Sequence, residues 1–390
     1  MRIFKIKYRV VTWLCLVMFG CNSKKEHSVT MHFKKTIVFD NNSYAGVGLA
    51  GVFTIASGQQ WVYFANSEMG KSIIFYTLDG KQAFEVPLQK IREKGELVRG
   101  VAIIDMDRII IHTRYNNRLY VIDSTGIVKR EVNLPKIFPD GHSLELYASF
   151  INGDFVYKDN ILLNCSIDFP TDSNISLEEA YHIYGERKNT KPYFMMVPGL
   201  GNDTAALVLG NTGFYGRFVP EGCVNVEPAL YACTAERDDI IQYSMYSDSI
   251  YVCGNDLNIR NAYQIRSKYT EIGAKPLVNG ATMGDLLDLL VQTSGMIMNV
   301  NYDQYRKFYY LSIRHKVPMH SERKKMAEFS PWSIIVLDEH FNFLDEWLME
   351  PKKYGCGELL VTKEGIMIFR IPEKLIEKVK FDCYEIKMDK

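Results

Sequence analysis

The sequence predicts an all-β protein, a six-bladed β-propeller carrying two short helical inserts. Three observations point there. Short apolar or alternating runs recur along the chain, separated by turn residues. Four such runs make a unit that returns at roughly 40–60 residues, the rhythm of a propeller rather than of a sandwich. The runs are rich in aromatic residues, drawn from 24 Tyr and 21 Phe, and in β-branched ones, which favour strands.

Residues 99–134 form the clearest unit. Val101–Ile104, Arg108–His112, Leu119–Ile122 and Ile127–Val132 are separated by Asp-Met-Asp, Tyr-Asn-Asn and Ser-Thr-Gly, each a turn composition. A strand, then Asp and a short turn, then an outward strand ending in Leu or Met occurs three times: Tyr120–Leu134, Phe75–Leu88 and Ile334–Met349. Six units are centred near 36–90, 98–135, 147–210, 228–267, 297–349 and 354–388; a count of seven follows if the irregular third unit divides. In a closed ring one blade combines strands from both chain ends, which removes an exposed edge. The segments at 34–40 and 380–388 are the expected pair.

Two segments break the β pattern. Ser176-Leu-Glu-Glu179 is a capping box ahead of a helix near 177–185. Thr282 is an N-cap for a helix near 283–293, where Met283, Leu286, Leu287, Leu290 and Val291 fall at helical spacing. Both read as inserts, and no linker divides the chain.

At the N-terminus, Arg2, Lys5, Lys7 and Arg9 precede an apolar run from Val10 to Gly20. Eleven helical residues rise only about 16 Å, half of a bilayer core of about 30 Å, so the run is a secretory signal and not a span. Gly20-Cys21, followed at once by polar chain, has the form of a lipoprotein junction, with Cys21 the lipidated residue. Met18 and Phe19 are bulkier than usual before such a junction. The expected organisation is a signal over 1–20, a tether over 21–31 and one propeller domain over 32–390.

The formal net charge is zero and there is no basic stripe, so nucleic acid is not an expected partner. Of the cysteines after Cys21, Cys165, Cys253, Cys356 and Cys383 read as small buried hydrophobes, and Cys223 with Cys233 is the only close pair. Local chemical signatures fail on named residues. Gly70-Lys71-Ser72 lacks the earlier P-loop glycine and leads into a strand. Gly141-His142-Ser143-Leu144-Glu145 lacks the closing glycine of a nucleophile elbow. Ser321-Glu322-Arg323-Lys324 has no Lys-Thr-Gly companion. His315 and His320 lack further ligands at metal spacing. Asp105 and Asp107 bracket a turn. No cofactor and no metal is implied.

The last third carries a resemblance. Tyr302-Asp303-Gln304-Tyr305-Arg306 before an aromatic strand, a self-contained hairpin at Ser333–Met349, and Lys363-Glu364-Gly365 near the end resemble lipoproteins of Bacteroidetes with a TolB-like or six-bladed propeller domain. The resemblance covers about a quarter of the chain closely. It implies the fold and a cell-envelope location, and it carries over no catalytic residue, because that family has none assigned. Surface-exported members often have acidic residues after the cysteine; Asn22-Ser23-Lys24-Lys25 here imply a periplasm-facing anchor.

The function expected is a non-catalytic binding or scaffold module, anchored to a membrane by lipid and engaging a peptide, a glycan or a partner envelope protein. The alternative is a glycan hydrolase or lyase with its site in the central funnel. Tyr305, Arg306, Arg314 and His315 are the first residues to inspect for such a site.

Overall fold

A computed structural model describes residues 28–40, 49–65, 71–113, 118–133, 145–147, 156–157, 160–166, 174–176, 178–179, 194–197, 208–209, 230–234, 239–244, 247–254, 256–273, 282, 294–317, 330–373 and 377–388. Almost all of it is antiparallel strand. Five four-stranded sheets are arranged as propeller blades. Four of them follow the chain: β2–β5 (Ala50–Thr54, Gln60–Ala65, Ser72–Thr77, Gln82–Pro87), β6–β9 (Val98–Asp105, Arg108–Thr113, Arg118–Ile122, Val128–Asn133), β15–β18 (Leu230–Thr234, Asp239–Tyr243, Ser249–Cys253, Ile259–Gln264) and β19–β22 (Met296–Asp303, Phe308–Arg314, Trp332–Asp338, Phe343–Met349).

The fifth blade joins the chain ends. β23 (Tyr354–Thr362), β24 (Gly365–Arg370) and β25 (Lys380–Met388) are completed by β1 (Val29–Val38), in the order β1-β25-β24-β23. Thr36 lies opposite Asp382 and Val29 opposite Met388, so the expected closure of 34–40 on 380–388 is found. β1 begins at Val29, inside the stretch 21–31 expected from the sequence to be a tether. A further sheet lies between the second and third of these blades in sequence. It comprises β10 (Glu145–Tyr147), β11 (Val156–Tyr157), β12 (Asn160–Ser166), β13 (Phe194–Val197) and β14 (Val208–Leu209), with β11 pairing beside β10 on β12.

The apolar cores lie between neighbouring blades rather than inside any one of them. Ile73, Phe75, Val101 and Ile111 join the β2–β5 and β6–β9 blades. Ile241, Val252, Tyr309 and Leu311 join β15–β18 to β19–β22. Trp332, Ile334, Leu359 and Ile368 bind the latter to the closing blade, and Phe64, Tyr76, Phe369 and Phe381 bind the closing blade to β2–β5. This explains the sequence rhythm. Second and third strands are buried on both faces and read as continuous apolar runs, such as the fully buried Phe308–Arg314. Fourth strands line the rim and alternate, as in Val128–Asn133.

The repeated Asp turn has a common backbone. In four blades the third strand meets the fourth six residues on: Tyr76 with Gln82, Ile122 with Val128, Cys253 with Ile259, Leu337 with Phe343. In each, the next N–H donates to a carbonyl four residues on (Thr77 to Lys81, Asp123 to Ile127, Gly254 to Asn258, Asp338 to Asn342). Within that loop Gly80, Gly126, Leu257 and Phe341 occupy equivalent positions, all at positive φ (87°, 78°, 60° and 62°). Glycine takes that conformation freely. Leu257 and Phe341 take it because their side chains are held: Leu257 is buried, and Phe341 stacks within 4.4 Å of Tyr263 and 4.7 Å of Tyr309. The Asp residues supply the loop acceptors. Asp123 Oδ1 accepts from the Thr125 and Ile127 N–H groups, and Asp338 Oδ1 from those of His340 and Asn342.

The helices differ from expectation. The one named helix among the described residues is α1, Gln89–Arg92, a single turn with Ile91 buried. Four residues are too few to display a 3.6-residue period, so the sequence gives no sign of it. Of the inserts expected near 177–185 and 283–293, only Glu178 and Glu179 are described. They are helical, and Ser176 Oγ accepts from the Glu179 N–H at 3.1 Å, as the capping box requires. The remainder lies outside the described residues. Among those described, no helix is long and apolar enough to cross a membrane.

Candidate functional site

The inner-edge strands of successive sheets lie side by side: β2 by β23, β23 by β19, β19 by β15, and β15 by β11. Against three of these strands, β2, β19 and β23, and β6 of the β6–β9 blade opens a pocket of about 170 Å³. β2 contributes Gly51, Val52 and Thr54, and β6 contributes Ile103. β19 and its turn contribute Asn301, Tyr302, Gln304 and Tyr305; β23 contributes Leu360 and Val361, and Tyr63 of β3 completes the wall. Gly51 is required for that wall, since a Cβ there would lie 2.3 Å from the Tyr63 hydroxyl oxygen.

The motif at 302–306 builds one side of the pocket and clamps its neighbours. Asp303 is fully buried. Its Oδ1 accepts from the backbone N–H groups of Tyr305 (2.9 Å) and Arg306 (3.0 Å), closing the turn. Its Oδ2 accepts from Arg306 Nη1 (2.6 Å) and from the Tyr310 hydroxyl (3.0 Å). Burial beside that carboxylate pushes the Tyr310 phenol far above its ordinary value, so it remains a donor. Arg306 also donates to the Thr362 carbonyl (3.1 Å) and the Lys363 carbonyl (2.7 Å) of the closing blade. The Tyr305 hydroxyl takes a hydrogen bond from Gln60 Nε2 (3.0 Å) and lies 3.3 Å from Thr54 Oγ1, both in the β2–β5 blade. Gln60 Oε1 in turn accepts from the Lys363 N–H (2.9 Å). Three blades are thus locked together at the pocket mouth.

The four residues singled out for inspection do not form one cluster. Tyr305 and Arg306 precede β20, whereas Arg314 and His315 lie at its far end, after seven strand residues or about 23 Å. Tyr305 lines the pocket and Arg306 is a clamp behind it. Arg314 Nη2 contacts Met296 Sδ at 3.1 Å. His315 is buried, with Nε2 2.8 Å from Ser333 Oγ. Ser333 Oγ donates to Glu346 Oε1 (2.5 Å), which also accepts from Ser267 Oγ (2.7 Å). Here the serine stands between histidine and carboxylate. A nucleophilic triad needs the histidine in the middle, so this network fastens the 267–270 loop instead. Burial, only partly opposed by Glu346, holds the His315 pKa below its ordinary value.

One further ionisable group stands out, and sequence reading passed it over. Glu358 lies on the inner strand β23, on the same strand as Leu360 and Val361 but outside the pocket lining. Its stem keeps some exposure, but Oε2 is sealed with no hydrogen-bond partner, and it is this end that titrates. Desolvation pushes its pKa up to about 7. Among other polar residues, Asn299 bridges inner strands by donating to the Gly357 carbonyl (2.9 Å). Asn299 and Asn301, two buried amides on the inner strand that ends in Asp303, were the available signal for the ring axis. The pocket wall from Gly51 to Tyr63 offered none.

The other sequence candidates resolve simply. Ser72 begins β4, so Gly70-Lys71-Ser72 leads into a strand. Asp105 accepts from the Asp107 N–H (3.0 Å) and from Arg108 Nε (2.7 Å), which is turn chemistry. Cys253, Cys356 and Cys383 are free thiols, pushed by burial to about 12, 12 and 11. Cys21, Cys223, His142, Ser143, His320 and residues 321–324 lie outside the described residues, as do the side chains of Cys165 and Cys233. Among the described residues no group of three or more His, Cys, Asp or Glu is placed to hold a metal ion.

No protein-family model matches the chain, and no curated protein matches it in sequence. Among solved structures it is similar to a member of the DUF4221 family from Bacteroides vulgatus ATCC 8482. The TM-score is 0.70 at 20% identity, over 94% of this chain and 100% of that one. It is more weakly similar to a protein from Bacteroides fragilis NCTC 9343 described as exported (TM-score 0.49, 10% identity, 95% and 98% of the two chains). A streptogramin B lyase gives a TM-score of 0.43 at 10% identity, over 93% and 98%. The two weaker likenesses carry no argument, and the first is a likeness of fold, spanning nearly the whole of both chains.

Proposed function

We propose that this protein is a non-catalytic binding module of the cell envelope, a six-bladed propeller whose sixth blade is the β10–β14 sheet. The carrying observation is the composition of the axial pocket. Its described lining offers hydroxyl, amide and apolar groups, and no carboxylate, histidine or thiol. Asp303, beside Tyr302 and Gln304 of the lining, is consumed by a cation, a phenol and two backbone N–H groups. General acid–base chemistry needs a titrating group within reach of the bound molecule, and a binding site does not. The module would be held as a TolB-like lipoprotein, anchored through Cys21 by a short tether before β1 and facing the periplasm, with helical inserts near 177–185 and 283–293.

A second reading rests on Glu358. A carboxyl whose pKa lies near neutral on an inner strand has the property of a general acid, which supports the alternative of a glycan hydrolase or lyase. The test is to incubate the purified protein with peptides and with neutral and acidic oligosaccharides. Thermal shift reads binding, and mass spectrometry reads product release. Ligand-dependent stabilisation without products is the expected result. Cleavage abolished by Glu358→Gln would overturn the binding reading.

A further inference from the structure

We infer that the axial pocket receives one neutral pyranose unit, the terminal sugar of a glycan. This deepens the binding reading above and rests on it. Size is the first argument. The pocket holds about 170 Å³, close to a protein cavity of about 150 Å³ that accommodates a single benzene ring. A six-membered ring fits; a nucleoside or a folded peptide segment does not.

Charge is the second. No Lys, Arg, Asp, Glu or His contributes to the described lining. An anionic or cationic ligand would lose its hydration without a counter-charge, which is costly. The Arg306 guanidinium, next to Tyr305 of the lining, is already committed to Asp303 and to two carbonyls.

The distribution of polar and apolar groups is the third. Val52, Ile103, Leu360 and Val361 supply apolar surface, while Thr54, Asn301 and Gln304 supply hydroxyl and amide groups. Tyr63 and Tyr305 add rings with hydroxyls, and Tyr302 adds its ring alone, its hydroxyl being sealed from solvent. A pyranose has the complementary pattern: C–H groups on its faces, and hydroxyls around its edge that both donate and accept. A wholly apolar ligand would strip water from the amides and return no hydrogen bond. The walls come from four blades, and the Tyr305–Gln60 and Gln60–Lys363 hydrogen bonds fix three of them, so little ordering remains at binding.

The experiment is saturation-transfer NMR on the purified protein with the methyl glycosides of glucose, galactose, mannose and N-acetylglucosamine. Galacturonate, glucosamine and N-acetyltyrosinamide are the comparison ligands. At least one neutral glycoside should bind with a Kd of about 1 mM, as expected for a ligand of a dozen heavy atoms. Val361→Trp, which fills the pocket, and Gln304→Ala, at an exposed side chain that leaves the fold intact, should each weaken it about tenfold or more. Absence of binding by every neutral glycoside overturns the proposal, as does equal or tighter binding of the charged sugars. Pocket-dependent binding of N-acetyltyrosinamide alone overturns the saccharide assignment and leaves the binding reading standing. Release of methanol from a bound glycoside overturns the non-catalytic reading and leaves the ligand class standing.

Discussion

Arg306 reaches back three residues to Asp303, with Nη1 2.6 Å from Oδ2, while the same guanidinium holds the Thr362 and Lys363 carbonyls of the next blade. The pair therefore closes a turn and joins two sheets at once. Removing the cation leaves a fully buried carboxylate with its phenol and two N–H partners but without its counter-charge. Arg306→Ala should cost about 3–5 kcal/mol in urea unfolding. Arg306→Lys should recover little, because one ammonium cannot span the carboxylate and two carbonyls as a planar fork does. A loss below about 1 kcal/mol would show that the blades do not depend on this clamp.

Glu358 should make stability fall as pH rises. Its folded pKa, about 7, is raised from 4.5, so the folded state binds more protons than the unfolded state between those values. Stability is full below about 4.5 and declines through about 7, by about 3 kcal/mol in all. Glu358→Gln should remove that decline, and the variant should be more resistant to urea than the parent at pH 8. Parallel pH profiles for the two proteins would refute the assignment.

His315 acts in the other direction. Its pKa is lowered by burial, so the unfolded state takes up a proton first as pH falls through the ordinary histidine value of about 6.5. Stability should drop from there toward the folded value, and His315→Gln should flatten that acid limb. Ser333→Ala cuts the link from His315 to Glu346 and should loosen the 267–270 loop, seen as faster amide exchange at Lys268 and Thr270.

Gly126 has two reasons to remain glycine. Its φ is +78°, and a Cβ there would lie 2.2 Å from the Pro87 carbonyl oxygen of the preceding blade. Gly126→Ala should therefore cost more than the 1–2 kcal/mol of left-handed strain alone. Phe341→Gly, at the equivalent turn position, relieves that strain but loses the Tyr263 and Tyr309 contacts, and should still be net destabilising. Thermal unfolding of the two variants measures both. A stabilised Phe341→Gly would mean that the ring contacts count for less than the backbone.

The proposed lipid anchor is tested at one residue. Metabolic labelling with a fatty-acid probe should mark the wild type and not Cys21→Ser. A single attached lipid set of two or three chains suffices for stable membrane association. Equal labelling of both proteins would remove Cys21 from the account.

Much of the architecture was legible because blade chemistry is local. The unit at 99–134 matches β6–β9, and the three Asp-turn hairpins read from sequence are β4–β5, β8–β9 and β21–β22. A fourth, β17–β18, lies outside the pattern read from sequence: Gly254 stands where Asp123 and Asp338 open their loops, and its last strand ends at Gln264 rather than in Leu or Met. The closing pair was also legible, since a chain that forms a ring has only its two ends with which to seal it. The β10–β14 sheet was seen as an irregular unit, and four of its five strands, β10, β11, β13 and β14, are the shortest among the named strands.

By itself the sequence determined the turn chemistry and the hairpin order within the four-stranded blades, because those depend on neighbours a few residues apart. The candidate site was decided by the tertiary structure alone. Thr54, Gln60, Tyr305 and Lys363 are spread over some three hundred positions and meet only because the ring closes, bringing the first blade against the last. The same closure placed Arg314 and His315 at the opposite end of a strand from Tyr305 and Arg306, although the four lie within ten residues in sequence. Along an extended chain, proximity in sequence is distance in space; in a ring of blades, contact at the axis belongs to residues that the sequence keeps far apart.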